Sequence, residues 1–134
     1  LLIKAIRKHI SSKWQLLYLE RWLKTPVQLP DGTMQSRLQG TLQGSVVSPI
    51  LANLFLHYAM DEWLKRNYSA CPFERYADHA VIYCQSEKQA QELKAALQER
   101  LSNCGLTLHE EKTKLVYCKD SARKKSYEVC SLIF

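Results

Sequence analysis

The 134-residue chain is predicted to be α+β, with helices packed on one face of a mostly antiparallel sheet. Three observations predict it. Residues 27–38 alternate around Pro30-Asp31-Gly32, and residues 73–84 do so around a charged pair, Asp78-His79; each reads as a hairpin. Between and beside them, apolar residues recur at helical spacing. No internal repeat, low-complexity tract or domain linker divides the chain, and its length suits one compact domain with a core of its own.

The elements follow in order. Leu2, Ile3, Ile6 and Ile10 place residues 1–10 at the end of a helix. Ser12 with Gln15 forms a capping-box pattern for a second helix, whose apolar face is Trp14, Leu17, Tyr18 and Trp22 and which Pro26 stops. After the first hairpin comes a loop, Gly40-Thr41-Leu42-Gln43-Gly44-Ser45. Ser48 can cap the next helix and Pro49 suits its first turn. That helix should reach about Asn67, apolar nearly all round and so buried centrally.

The second hairpin is followed by another capping box, Ser86 and Gln89. Ala90, Leu93, Leu97, Leu101 and Cys104 then line one helix face, and Gly105 is placed to end the helix. Leu106-Thr107-Leu108 and Thr113–Cys118 read as a final strand pair about a Glu110-Glu111-Lys112 turn. Lys119–Lys125 form a polar, basic tail, and Cys130–Phe134 turn apolar again.

Formal charge is +6 and the isoelectric point is near 9.1, which favours a polyanionic partner. Residues 1–40 carry seven Lys/Arg against two acids, residues 41–104 six against seven, and residues 105–134 six against four. Any polyanion is therefore expected at the ends. The five cysteines show no Cys-x-x-Cys spacing, which argues against zinc. Their odd number, without a secretory leader, suggests reduced thiols in a cytoplasmic protein. The apolar run Val46–Met60 holds Ser48, Pro49, Asn53 and His57, too short and polar for a bilayer. The opening Leu-Leu-Ile, without Met, reads as a fragment.

Two stretches can carry chemistry. Asp78 of Tyr76-Ala77-Asp78-His79 either caps its own turn or presents a carboxylate to a metal ion. Gly40 and Gly44 either bracket a plain loop or let a ligand approach the backbone closely, with Gln43 touching a base or sugar. Ser48 and Asn53 need polar partners on either reading.

Taken together, in this sequence order, the stretches resemble the palm of reverse transcriptases encoded by bacterial group II introns. Gly40–Ser45 and Ser48–Asn53 are similar to that family's Gly-Thr-Pro-Gln-Gly-Gly and Ser-Pro-Leu-Leu-Ala-Asn. Tyr76-Ala77-Asp78-His79 resembles its Tyr-Ala-Asp-Asp box, with His79 in place of the second Asp. Val27–Thr33 and Gly105–Lys114 match the flanking stretches. The likeness runs from about Leu1 to Asp120 and implies a polymerase palm-like fold.

The resemblance implies template-directed nucleotidyl transfer by a two-metal mechanism, with Mg2+ as cofactor. RNA template, primer strand and deoxynucleoside triphosphates would be the substrates. Asp78 would be a catalytic metal ligand. Lys112 would lie near the triphosphate, although on its own it reads as a solvated lysine beside Glu110 and Glu111. Gln43, Gly44, Tyr76 and Ala77 would meet the nucleotide and template. The family's first Asp strand and fingers would precede Leu1, and its thumb would follow Phe134. His79 is a degenerate position, because an imidazole is a poor magnesium ligand, and Leu42 replaces the family's Pro. The expectation is therefore a palm that does not polymerise by itself. The alternatives are a non-catalytic RNA-binding, maturase-type module acting on group II intron RNA, or a decayed gene remnant.

Overall fold

The computed structural model describes residues 1–36 and 46–118. The Gly40–Ser45 loop with Gln43 and Gly44, residues 37–38 of the first hairpin, the basic tail and the apolar end with Cys130 lie outside the described residues. The chain divides into two compact units, Leu1–Phe55 and Leu56–Phe134.

In the first unit, α1 (Leu2–Ile6) is shorter than expected. Tight turns carry it onward: the His9 and Ile10 amides donate to the Ile6 carbonyl at 2.9 and 3.0 Å. Ala5 and Ile6 are buried. Helix α2 (Lys13–Lys24) starts directly after Ser12, as the sequence predicts, but the Ser12 side chain makes no capping hydrogen bond. The exposed first turn can give its amides to water instead. Thr25 Oγ1 donates to Arg21 O at 2.8 Å at the far end, just before Pro26. None of α2 is buried, and Trp14 is 73% exposed. Its expected apolar face exists as a stripe and is not covered.

Strands β1 (Val27–Gln28) and β2 (Met34–Gln35) pair antiparallel, Val27 opposite Gln35. The loop Pro30-Asp31-Gly32 closes as its composition requires. Leu29 N–H donates to Thr33 O, Gly32 N–H to Leu29 O, both at 2.9 Å, and Gly32 takes φ 84°, where a side chain would be strained.

Helix α3 (Ser48–Leu56) begins at Ser48 itself, with Pro49 in its first turn. It is not the wholly buried helix expected: Leu51 is buried, whereas Ile50 is exposed. The helical run does continue to Asn67, through a π-helical segment, His57–Asp61, and then α4 (Glu62–Asn67).

In the second unit, β3 (Phe73–Tyr76) and β4 (His79–Ile82) form the other antiparallel ribbon. Helix α5 (Glu87–Asn103) is entered through the predicted box. Ser86 Oγ accepts from Gln89 N–H, while Gln89 Oε1 accepts from Gln85 N–H, one residue earlier than the standard reciprocal bond. Gly105 ends the helix at φ 78°. Its amide donates to Ser102 O and that of Leu106 to Leu101 O, both at 2.9 Å, the paired bonds of a Schellman motif. Leu93, Leu97 and Leu101 are buried, and so are Ala59, Met60, Leu64, Cys71, Ala80 and Ile82; these make the core of this unit.

The α+β class therefore holds, but the strands described form two separate two-stranded ribbons rather than one sheet. The final strand pair does not form among the described residues. Thr113 N–H and Oγ1–H both donate to His109 O, at 2.9 and 2.8 Å. Lys94 Nζ donates to Thr113 O at 3.0 Å. The bonds that a ladder would use at Thr113 are spent on a local turn and on α5.

Candidate functional site

The β3–β4 ribbon sorts its side chains by alternation. Phe73 and Arg75 on β3 and Ala80 and Ile82 on β4 turn inward. Glu74, Tyr76, His79 and Val81 are exposed. Tyr76 pairs with His79, so the tip is a two-residue turn, Ala77-Asp78. His79 belongs to the strand rather than to the tip.

Ala77 has φ 54°, the one positive φ among described non-glycine residues. Positive φ at the first central residue alone is the type II′ pattern, which normally takes glycine there. An alanine in that position stores about 1–3 kcal/mol of strain, and something outside the turn must hold it.

Arg75 does so. Its Nη1 donates to Ala77 O at 2.6 Å. Its Nε and Nη2 donate to Asp61 Oδ1 and Oδ2 at 2.8 and 2.7 Å, a bidentate fork. Both side chains are 12% exposed. The Asp61 hydrogen bond holds the Arg75 proton above its ordinary affinity, with burial pulling the other way. Asp61 closes the π-helical segment, and His57 Nδ1 lies 3.5 Å from Asp61 Oδ2. A π turn changes the helical bonding pattern and loosens carbonyls. Here Arg100 of α5 supplies donors, with Nε to Ala59 O at 3.0 Å and Nη2 to Tyr58 O at 3.3 Å. A continuous line of bonds thus runs from α5 through the π turn and Asp61 to the backbone beside Asp78.

Asp78 itself is 83% exposed, and His79 Nε2 stands 3.9 Å from its Oδ1. Tyr76 is also open to solvent. Lys112 is exposed in the turn after His109, and no ion pair joins it to Asp78 among the described residues. Tyr76, Ala77, Asp78 and His79 are therefore brought together at one end of the ribbon.

The donor set at this tip does not fit a magnesium centre. It offers one carboxylate and one imidazole, whereas magnesium demands hard oxygen ligands. Among the described residues no three His, Cys, Asp or Glu side chains gather as a metal group would need.

The sequence alone assigns no role to Asp61, Arg75 or Arg100. A signal existed: an acid in an otherwise apolar helix needs a buried partner, and Arg75 occupies an inward position of an alternating strand.

The family model described as reverse transcriptase (RNA-dependent DNA polymerase) matches residues 2–132. No curated protein matches the chain, and no solved structure does. With nearly its whole length matched and an exposed Asp at the tip of a β-hairpin, the chain belongs to the reverse transcriptase family.

Proposed function

We propose that the chain is the palm of a group II intron-type reverse transcriptase whose turn has lost its metal competence. The family implies a nucleic acid template and nucleotide substrates. The finer reading is RNA-directed DNA synthesis on a primed RNA template. Gln43, Gly44, Tyr76 and Ala77 would lie against the nucleotide and template, and Lys112 near the triphosphate. Group II intron RNA is the proposed partner and the cytoplasm the proposed compartment; no described helix is long and apolar enough to cross a membrane.

The observation that carries this reading is the Tyr76-Ala77-Asp78-His79 hairpin. Its acid projects from a two-residue turn that Arg75, paired with Asp61, holds from behind. The same hairpin argues against catalysis by this chain. Removing one electrostatic group from a cooperating site typically costs about 10² to 10³ in rate, and His79 removes one of the box's two carboxylates.

Primer extension on a primed RNA template, with magnesium or manganese, tests this. The expected result is no incorporation above an Asp78→Ala control, with synthesis appearing only when His79→Asp is combined with a restored upstream Asp strand. Incorporation by the unaltered chain above that control overturns the loss of competence.

A non-catalytic RNA-binding role has its own support. Helix α2 exposes Lys13, Arg21 and Lys24 beside Trp14, Tyr18 and Trp22, the mixture of cations and stacking surfaces that single-stranded RNA uses. Salt-dependent RNA binding that survives Asp78→Ala supports it.

A further inference from the structure

The β3–β4 ladder does not stop where its strands do. Beyond the Phe73–Ile82 pair, Tyr83 N–H donates to Pro72 O at 2.8 Å, which makes Pro72 and Tyr83 a hydrogen-bonded pair. The same register carried one residue further sets Cys71 opposite Cys84, with the Cys71 N–H turned away from Cys84 to donate to Tyr68 O at 2.9 Å. Antiparallel pairs alternate, so this one is non-hydrogen-bonded, the type in which Cα atoms stand about 4.5 Å apart and side chains lie closest. That spacing falls within the disulfide range of about 4.4–6.8 Å. Cys71 and Cys84 share the inward face with Phe73 and Ile82. Cys71 is 3% exposed, Cys84 is half-buried, and both are thiols.

We propose that Cys71 and Cys84 are a dithiol site that closes to a cross-strand disulfide on meeting a low-molecular-mass disulfide, stapling the base of the hairpin that carries Asp78. The proposal does not depend on the polymerase reading. Cys84, the more accessible thiol, loses its proton and attacks one sulfur of the small disulfide. The first small thiolate leaves and takes up that proton. Cys71 Sγ then displaces the second small thiolate from Cys84, giving up its own proton to it. Two protein thiols and one small disulfide become one protein disulfide and two small thiols. The protein loses two electrons and two protons, and the oxidant gains them.

Burial, together with Cys71 beside it, pushes the Cys84 thiol up to about 11. A smaller thiolate fraction slows the first step. The position of equilibrium is set by how well the fold holds the two sulfurs together, so the test is made at equilibrium.

A variant with Cys104→Ser, Cys118→Ser and Cys130→Ser leaves the pair alone. It is equilibrated with mixtures of reduced and oxidised glutathione, natively and in urea, then acid-quenched and weighed by mass spectrometry. The expected native equilibrium constant for the intramolecular disulfide exceeds the urea value by at least about tenfold, with no glutathione retained. Adding Cys71→Ser should stop the reaction at a mixed disulfide on Cys84. Peptide mapping of the wild-type chain in the same buffers reads the same linkage should the triple variant not fold. A native constant equal to or below that of the unfolded chain, or a persistent mixed disulfide while both cysteines are present, overturns the proposal.

Discussion

The two hairpins reach the same topology by different means. The β1–β2 turn is self-sufficient. Gly32 takes the left-handed conformation at φ 84°, and Asp31 Oδ1 accepts from Thr33 N–H at 2.9 Å and from Thr33 Oγ1–H at 2.6 Å. Everything that bends this hairpin lies within residues 29–33. The β3–β4 turn has no glycine. It puts Ala77 at φ 54° and relies on an arginine clamped by an aspartate 14 residues away in sequence. One turn is written into its own residues; the other is imposed by packing. The imposed one carries the acid at which the chemistry of the family is expected.

The largest way to break this contrast is Arg75→Ala. It leaves Asp61 buried without its bidentate partner, which should cost about 3–5 kcal/mol in urea unfolding followed by the fluorescence of Trp63. Asp61→Ala should cost a similar amount, and the double variant clearly less than the sum. A loss below about 1 kcal/mol for Arg75→Ala would mean that the turn holds itself.

The glycine positions offer a finer comparison. Gly32→Ala meets no atom within 4 Å but must keep φ +84°. It should weaken the first hairpin by about 1–2 kcal/mol, seen as exchange of the Leu29 amide faster by roughly fivefold or more. Ala77→Gly should act in the opposite direction. Relief of about 1–3 kcal/mol of strain outweighs an unfolded-state entropy cost of roughly 0.5–1 kcal/mol, for a gain read as a higher urea midpoint. Equal destabilisation by the two substitutions would erase the distinction.

The smallest effect concerns Asp31. The Thr33 hydroxyl, then the Thr33 amide, hold its carboxyl below the ordinary 3.8. Because the folded value is depressed, the turn's contribution is present above the unfolded value and is lost as pH falls through the folded one. The Thr33 amide resonance should titrate with a midpoint below 3.8; a midpoint at or above it would show that these bonds do not form in solution.

The same contrast explains what could be read from residues alone. Pro30-Asp31-Gly32, the Ser86–Gln89 box and Gly105 are local signals, and each landed within a residue of its element. The Ser12–Gln15 box misled, because a pattern permits a cap without requiring one where water can serve. The stripe of Trp14, Tyr18 and Trp22 marked a helical face but not whether anything covers it. Leu106–Leu108 and Thr113–Cys118 looked like strands because alternation reports which side chains turn inward, not whether a neighbouring strand exists. The tip of the candidate site was legible to within a residue: the hairpin read around Asp78-His79 turns at Ala77-Asp78. The Asp61–Arg75 clamp behind it was not, since its two halves sit on different elements and meet only in three dimensions.

The π-helical segment His57–Asp61 has one last implication. Each residue advances an α-helix by about 100°, and the wider π turn fits one residue more into about the same rotation. Deleting a single residue ahead of Asp61 would restore a regular spiral and leave that acid aimed close to its present direction. A one-codon deletion in this short window should therefore be better tolerated than the same deletion inside α5, where it would turn Leu93 away from the face it shares with Leu97 and Leu101.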